Sequence, residues 1–231
     1  MACMVCPTVF AQDNHQKYEL FFGYSLMKLV DEYSDIDDER EWLNLNGGSY
    51  KKSSFLEKGF AASFTYNFAP AIGLETAFRY NSGYILSEKW KEHYLTYVEN
   101  HETGYKKSDF SFLIGPRVTF KSGHAAPFVH GLVGLSHDKI AYAYDLKWED
   151  SWGNRDSESE SDTLNSNNSL AFALGGGLDI LIHENVALRV FQADYYITNH
   201  PSKLYGDTGD IENERRNNIN LSFGIVFRFG K

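Results

Sequence analysis

No stretch of this 231-residue chain reaches the roughly 18 to 20 consecutive apolar residues that a membrane-spanning helix needs. Helical spans are therefore excluded. Cysteine is almost absent: Cys3 and Cys6 are the only two, and both precede Gln12. The remainder of the chain cannot be a disulfide scaffold, and it could cross an oxidising compartment without forming wrong bridges. Positive charge is also short, with 22 Lys and Arg against 31 Asp and Glu for a net charge of −9. A nucleic-acid partner needs a basic footprint, and none is present. The eight histidines are scattered without HxH or HExxH spacing, so neither a transition-metal site nor any cofactor is expected.

Aromatic residues are abundant instead, at 16% of the chain with 15 Tyr and 17 Phe. That is high for a soluble domain and expected where rings gather at two membrane interfaces. Their arrangement is more telling than their number. From Asn218 to Phe229, every second residue is apolar: Ile219, Leu221, Phe223, Ile225, Phe227 and Phe229, with Asn220, Ser222, Gly224, Val226 and Arg228 between them. A strand with one apolar face and one small or polar face suits a wall between lipid and a packed polar interior.

The alternation recurs in seven earlier segments. The first runs from Tyr18 to Lys28, with Tyr18, Leu20, Phe22, Tyr24 and Leu26 on one face. Lys58 to Phe68 places Phe60, Phe64, Tyr66 and Phe68 outward over an inward set of Gly59, Ala61, Ser63, Thr65 and Asn67. The third presents Ile72, Leu74, Phe78 and Tyr80 outward, and the fourth Phe110, Phe112, Ile114, Val118 and Phe120. The fifth, Pro127 to Asp138, has Val129, Val133 and Leu135 outward and His130, Gly134 and Ser136 inward. Leu170 to Ile182 forms the sixth. In the seventh, from Val186, parity fails: Arg189 faces inward on odd numbering, while Gln192 and Asp194 need even numbering. One extra residue repairs this, which predicts a β-bulge near Val190 and Phe191.

Connections sort by length. Those at Ala69 to Ala71, Lys121 to Ala126 and His183 to Asn185 are tight, whereas Val30 to Glu57, Tyr84 to Lys107, Lys139 to Ser169 and Thr198 to Asn217 are long. Strict short-long alternation is the signature of periplasmic turns and external loops. The expected fold is all-β, an eight-stranded antiparallel up-and-down transmembrane β-barrel. Its single domain spans residues 12–231 and carries four long external loops. Residues 1–11 end Val9-Phe10-Ala11, small residues at the −3 and −1 positions of a signal-peptidase site. They read as a truncated signal peptide, the alternatives being a disordered or plug-like N-terminus and, less well supported, a lipoprotein acylated at Cys6.

Inward parity collects four acids, Glu19, Glu75, Asp179 and Asp194, and four bases, Arg79, Arg117, Arg189 and Arg228. Eight strands leave room only for side chains, so a salt-bridged plug is the plain expectation and a gated ion path the sharper one. Ser136-His137-Asp138 resembles a triad written in a row, but adjacent strand residues point to opposite faces and cannot converge. No enzyme is expected. The acidic runs Asp35 to Glu39 and Glu149 to Asp162 lack the Gly and Glu of a calcium loop and read as solvated surface charge. All four tryptophans, Trp42, Trp90, Trp148 and Trp152, fall in the expected loops. There they could grip a partner, pack loop on loop, or rest at the headgroup level.

From Tyr18 to Phe229 the chain resembles the small outer-membrane β-barrels of the OmpA-like, porin-family type. The most specific match is Ser222-x-Gly224-x-x-Phe227-x-Phe229, which is similar to the assembly signal read on the last strand by the barrel-assembly machinery; here Gly230 and Lys231 follow it. The resemblance implies the outer membrane of a Gram-negative bacterium, with its lipid, its lipopolysaccharide and the assembly machinery as partners, and a monomeric barrel. The inward Glu and Arg set is similar to the interior salt-bridge network of such barrels. The function expected is structural and surface-interacting, with the loops meeting an extracellular ligand or host surface. The alternative is a narrow gated channel.

Overall fold

The computed structural model describes residues 16–29, 56–93, 97–150, 152, 154–201 and 213–230. Eight strands follow one another in chain order: β1 Tyr18–Leu29, β2 Leu56–Asn67, β3 Ile72–His93, β4 Tyr97–Thr119, β5 Ala125–Asp150, β6 Arg155–His183, β7 Val186–Pro201 and β8 Asn213–Phe229. Each pairs antiparallel with the next, and β8 returns to β1 from Tyr18↔Phe229 to Leu29↔Asn218, so the sheet closes into a barrel with no edge at this level. Closure satisfies every backbone group of the wall internally, which hydrocarbon demands.

The outer face follows the alternation of the sequence. Phe22, Phe60, Phe64, Leu74, Phe112, Val133, Leu135, Phe172, Leu188 and Ile225 are among the large apolar side chains exposed around the full circumference. A continuous apolar surface of this extent is unstable against water and is the surface that lipid covers. The inner face is small, polar or charged and buried, with one apolar level where Met27, Leu113, Leu132 and Tyr196 meet Ala77, Ala171 and Ala173.

The three tight turns form at one end. Ala69 and Ile72 exchange backbone hydrogen bonds of 3.1 and 3.3 Å, Gly123 turns the β4–β5 corner with φ of 59°, and Glu184 and Asn185 link β6 to β7. The predicted bulge is present: β8 pairs Gly224 with Arg189 and Ser222 with Gln192, leaving Val190 and Phe191 to share one position on β7. Both are consequently exposed, at 48% and 51%.

The opposite end differs from expectation. Tyr84 to Lys107 and Lys139 to Ser169 are not loops: β3 and β4 stay paired to His93↔Val98, and β5 and β6 to Glu149↔Arg155. β7 and β8 likewise continue to Pro201↔Asn213. β5 and β6 reach 26 and 29 residues, against the roughly 9 to 11 that cross a bilayer. The reason is that apolar alternation marks only strand lying against hydrocarbon. Above it, the ladders persist on backbone pairing joined by side-chain contacts such as the Tyr105–Tyr142 ring pair. Residues 1–15 and the whole segment 30–55 between β1 and β2, with the acidic run Asp35 to Glu39, lie outside the described residues.

The lumenal charge network as candidate functional site

Nearest the tight turns, inward positions of β1, β3, β4, β6, β7 and β8 bring charge together. Arg228 Nε donates to Glu19 Oε1 at 3.1 Å. Arg117 Nη2 donates to Asp179 Oδ2 at 2.9 Å, and the same nitrogen lies 3.5 Å from Glu19 Oε2. Arg189 meets Asp179 through two parallel bonds, Nε to Oδ1 at 2.8 Å and Nη2 to Oδ2 at 3.1 Å. Its remaining Nη1 donates to Gln192 Oε1 at 2.7 Å, and Gln192 Nε2 donates to Asp194 Oδ2 at 2.8 Å. Arg79 hydrogen-bonds the same Asp194 carboxylate.

All eight inward charges are buried in one lumen and paired there. His130 joins them. Its Nδ1 lies 2.9 Å from Glu75 Oε2 and its Nε2 2.8 Å from Asp194 Oδ1. A carboxylate only accepts, so a ring that donates from both nitrogens, the imidazolium, satisfies both contacts. Two rings pack the network from inside: Arg117 lies 3.9 Å over Phe128, and Arg189 lies 4.2 Å over Phe21 and 4.5 Å over Phe128. Glycines make the space. A Cβ on Gly177 would stand 2.8 Å from the Phe128 ring, and one on Gly175 would stand 2.1 Å from Asp194 Oδ1.

Beyond the apolar level is a second polar layer that the sequence reading missed. Lys107 Nζ lies 3.3 Å from Glu57 Oε1 and 3.4 Å from Asp138 Oδ1, while Ser136 donates to Asp109 at 2.9 Å. Lys107 fell in an expected loop, and Glu57 in another. Ser136 and Asp138 face inward, but His137 points outward to Asn168 Oδ1 at 2.7 Å. The three do not converge. Counting both layers, the described lumen buries seven carboxylates against six Arg and Lys side chains and His130. In formal charge the two sets balance when His130 is protonated, and matched sets of this kind are what a buried lumen can hold.

The tryptophans are distributed differently from expectation. Trp90 is on β3 across from His101, and Trp148 is on β5, half-buried, across from Asp156. Trp152 alone among the described ones is in a turn, 81% exposed, and Trp42 lies outside the described residues. At the other end of the barrel Ser222 is buried and donates to Asn220 at 3.0 Å, and Gly224 faces Gly23. Phe227 and Phe229 stand outward, with Phe229 stacked on Tyr18 at 5.6 Å between centroids.

A closed apolar-walled barrel around an ion-paired core is a transmembrane β-barrel of the small, eight-stranded class. No protein-family model matches the chain, and no curated protein sequence matches it. Among solved structures it is similar to Ail, the attachment invasion locus protein of Yersinia pestis, with 17% identity, a TM-score of 0.43, and 93% of this chain and 99% of that one covered. It is also similar to Neisserial surface protein A, at 13% identity and a TM-score of 0.43 over 92% of this chain and 97% of that one. OprG of Pseudomonas aeruginosa aligns at 12% identity and a TM-score of 0.45 over 95% and 99%. The barrel assignment stands on the closed ladder and apolar belt, not on these likenesses.

Proposed function

We propose that the chain is a monomeric integral protein of a Gram-negative outer membrane, inserted by the barrel-assembly machinery through the Ser222 to Phe229 signal. Lipid and lipopolysaccharide surround its belt, and its projecting hairpins serve adhesion or ligand contact at the cell surface. The observation that carries the reading is the belt itself, large apolar side chains exposed on every strand around a lumen in which charge is paired and buried. No soluble fold tolerates that inversion. The lumen serves as a structural plug, since the level of Met27, Leu113, Leu132 and Tyr196 lies between its two polar layers. Catalysis is not part of the proposal. The test is a pair of measurements on refolded protein: electrophoretic mobility before and after boiling, and conductance across a planar bilayer. A heat-dependent shift with no steady openings is expected; steady openings from monomer would favour the channel, and absence of a shift would remove the barrel from the membrane.

A further inference from the structure

β6 outlasts its neighbour. The β6–β7 ladder stops at Ala171↔Thr198, yet β6 begins at Arg155 and stays paired with β5 as far as Glu149↔Arg155. Among the described residues, the flank of β6 that faces away from β5 therefore has no strand partner over residues 155–170. Such a flank presents a row of backbone donors and acceptors on which another extended chain can pair.

What that chain must be follows from the residues. Asp156, Glu158, Glu160 and Asp162 alternate with Ser157, Ser159 and Ser161, and all seven are exposed. On a strand this puts the four carboxylates on one face, about 6.6 Å apart. On the same face of β5, directly opposite each acid, stand Trp148, Leu146, Tyr144 and Tyr142. Among the described residues of β5 and β6, the nearby bases do not neutralise the row: Arg155 bonds Glu149 at 3.1 Å, and Lys147 is opposite Ser157, on the other face. The row ends at a register shift, where β6 passes from Thr163 to Asn165 against adjacent residues Ala141 and Ile140. A second copy of this strand would bring carboxylates against carboxylates and is repelled. A strand with Lys or Arg at alternate positions would place each cation against a carboxylate across the new ladder.

We propose that residues 155–162 of β6 are a docking edge for an extended polypeptide segment carrying Lys or Arg at every second position. The proposal rests on the reading of these hairpins as the exposed end of a membrane barrel, and names the chemistry of the partner they contact.

The experiment uses the full chain refolded in liposomes and a fluorescent ten-residue peptide of alternating Lys and Thr, followed by anisotropy. Binding that weakens with salt is expected. Changing Asp156→Asn, Glu158→Gln, Glu160→Gln and Asp162→Asn together should lower affinity about tenfold or more, the sum of several modest ion pairs. A peptide with its residues N-methylated along one edge should bind equally poorly, because strand addition needs those donors. Three results would overturn the proposal: no binding by wild type, undiminished binding by the four-amide variant, or undiminished binding of the N-methylated peptide. Chain dimers in place of peptide binding would do the same. Heat-dependent mobility of each variant is read in parallel, so a failed barrel, which would sink the membrane reading, is told apart from an intact barrel that ignores the peptide.

Discussion

Arg189 and Asp179 meet by two parallel hydrogen bonds across neighbouring strands, at 2.8 and 3.1 Å, with neither side chain reaching solvent. The pair is not symmetric in its surroundings. Asp179 also holds Arg117 at 2.9 Å, whereas Arg189 donates both of its carboxylate bonds to Asp179 and its third bond to Gln192.

A graded loss is therefore expected. Removing one member of a buried pair costs about 3 to 5 kcal/mol. Arg189→Ala should fall near the lower figure, because Asp179 keeps Arg117; Asp179→Ala should fall near the upper, because two guanidinium groups lose their acceptor. Urea unfolding in lipid, followed by tryptophan fluorescence, measures both. Wild-type midpoints in the two variants would mean that these charges do not meet in the lumen.

The belt makes an independent prediction. Phe64→Arg and Leu74→Arg place a cation on the lipid face of β2 and β3 and should cost about 2 to 4 kcal/mol near the midplane. Trp152→Arg, at an 81% exposed turn position, should cost little. Equal refolding yields of all three into liposomes would contradict the membrane assignment.

The bulge can be tested by deletion. Without Val190, either Arg189 or the set Gln192, Asp194 and Tyr196 must turn toward lipid, because a one-residue slip exchanges the faces of a strand. Deletion of Val190 should abolish the heat-dependent mobility shift, while Val190→Ala, which keeps the residue count, should retain it. A folded deletion variant would show that β7 can re-register without harm.

Acid should loosen the projecting hairpins before the barrel. Partial burial of Asp145 acts to raise its pKa, but hydrogen bonds from Ser159 and Tyr84 and the ammonium groups of Lys106 and Lys147 outweigh it and hold the carboxyl below its ordinary value. A depressed folded-state value adds stability that is complete above the unfolded value, about 3.9, and disappears as pH falls through the folded one. Amide exchange of residues 140–150 and 155–163 should quicken below about pH 4, and Asp145→Asn should remove that pH dependence. An unchanged pH profile in the variant would assign the effect to other groups.

Phe229 separates assembly from stability. Phe229→Ala loses a stacked contact with Tyr18 and one aromatic of the proposed signal. Outer-membrane yield in cells should drop steeply, while unassisted refolding into detergent changes only modestly, since that process requires no machinery. Normal surface levels of the Phe227→Ala/Phe229→Ala double variant would refute the signal and leave the barrel standing.

Period-two alternation from Tyr18 onward determined strand count, facing and closure by itself, because hydrocarbon on one side and a narrow polar lumen on the other impose opposite requirements on successive residues. It even located the bulge, since Arg189 and Gln192 cannot both face inward without one. It was silent on which charges meet. Glu75 with His130, Arg79 with Asp194 and Arg117 with Asp179 join strands two to four apart around the wall, and only the closed barrel's stagger brings them to one height. Lys107 and Glu57 were hidden for a related reason: they lie where the apolar signal fades, though the strand does not. The length of the hairpins, and with it the flank of β6 that has no strand partner among the described residues, was likewise decided by pairing outside the belt, where the aromatic alternation of Tyr142 to Trp148 on β5 faces the polar alternation of Asp156 to Asp162 on β6.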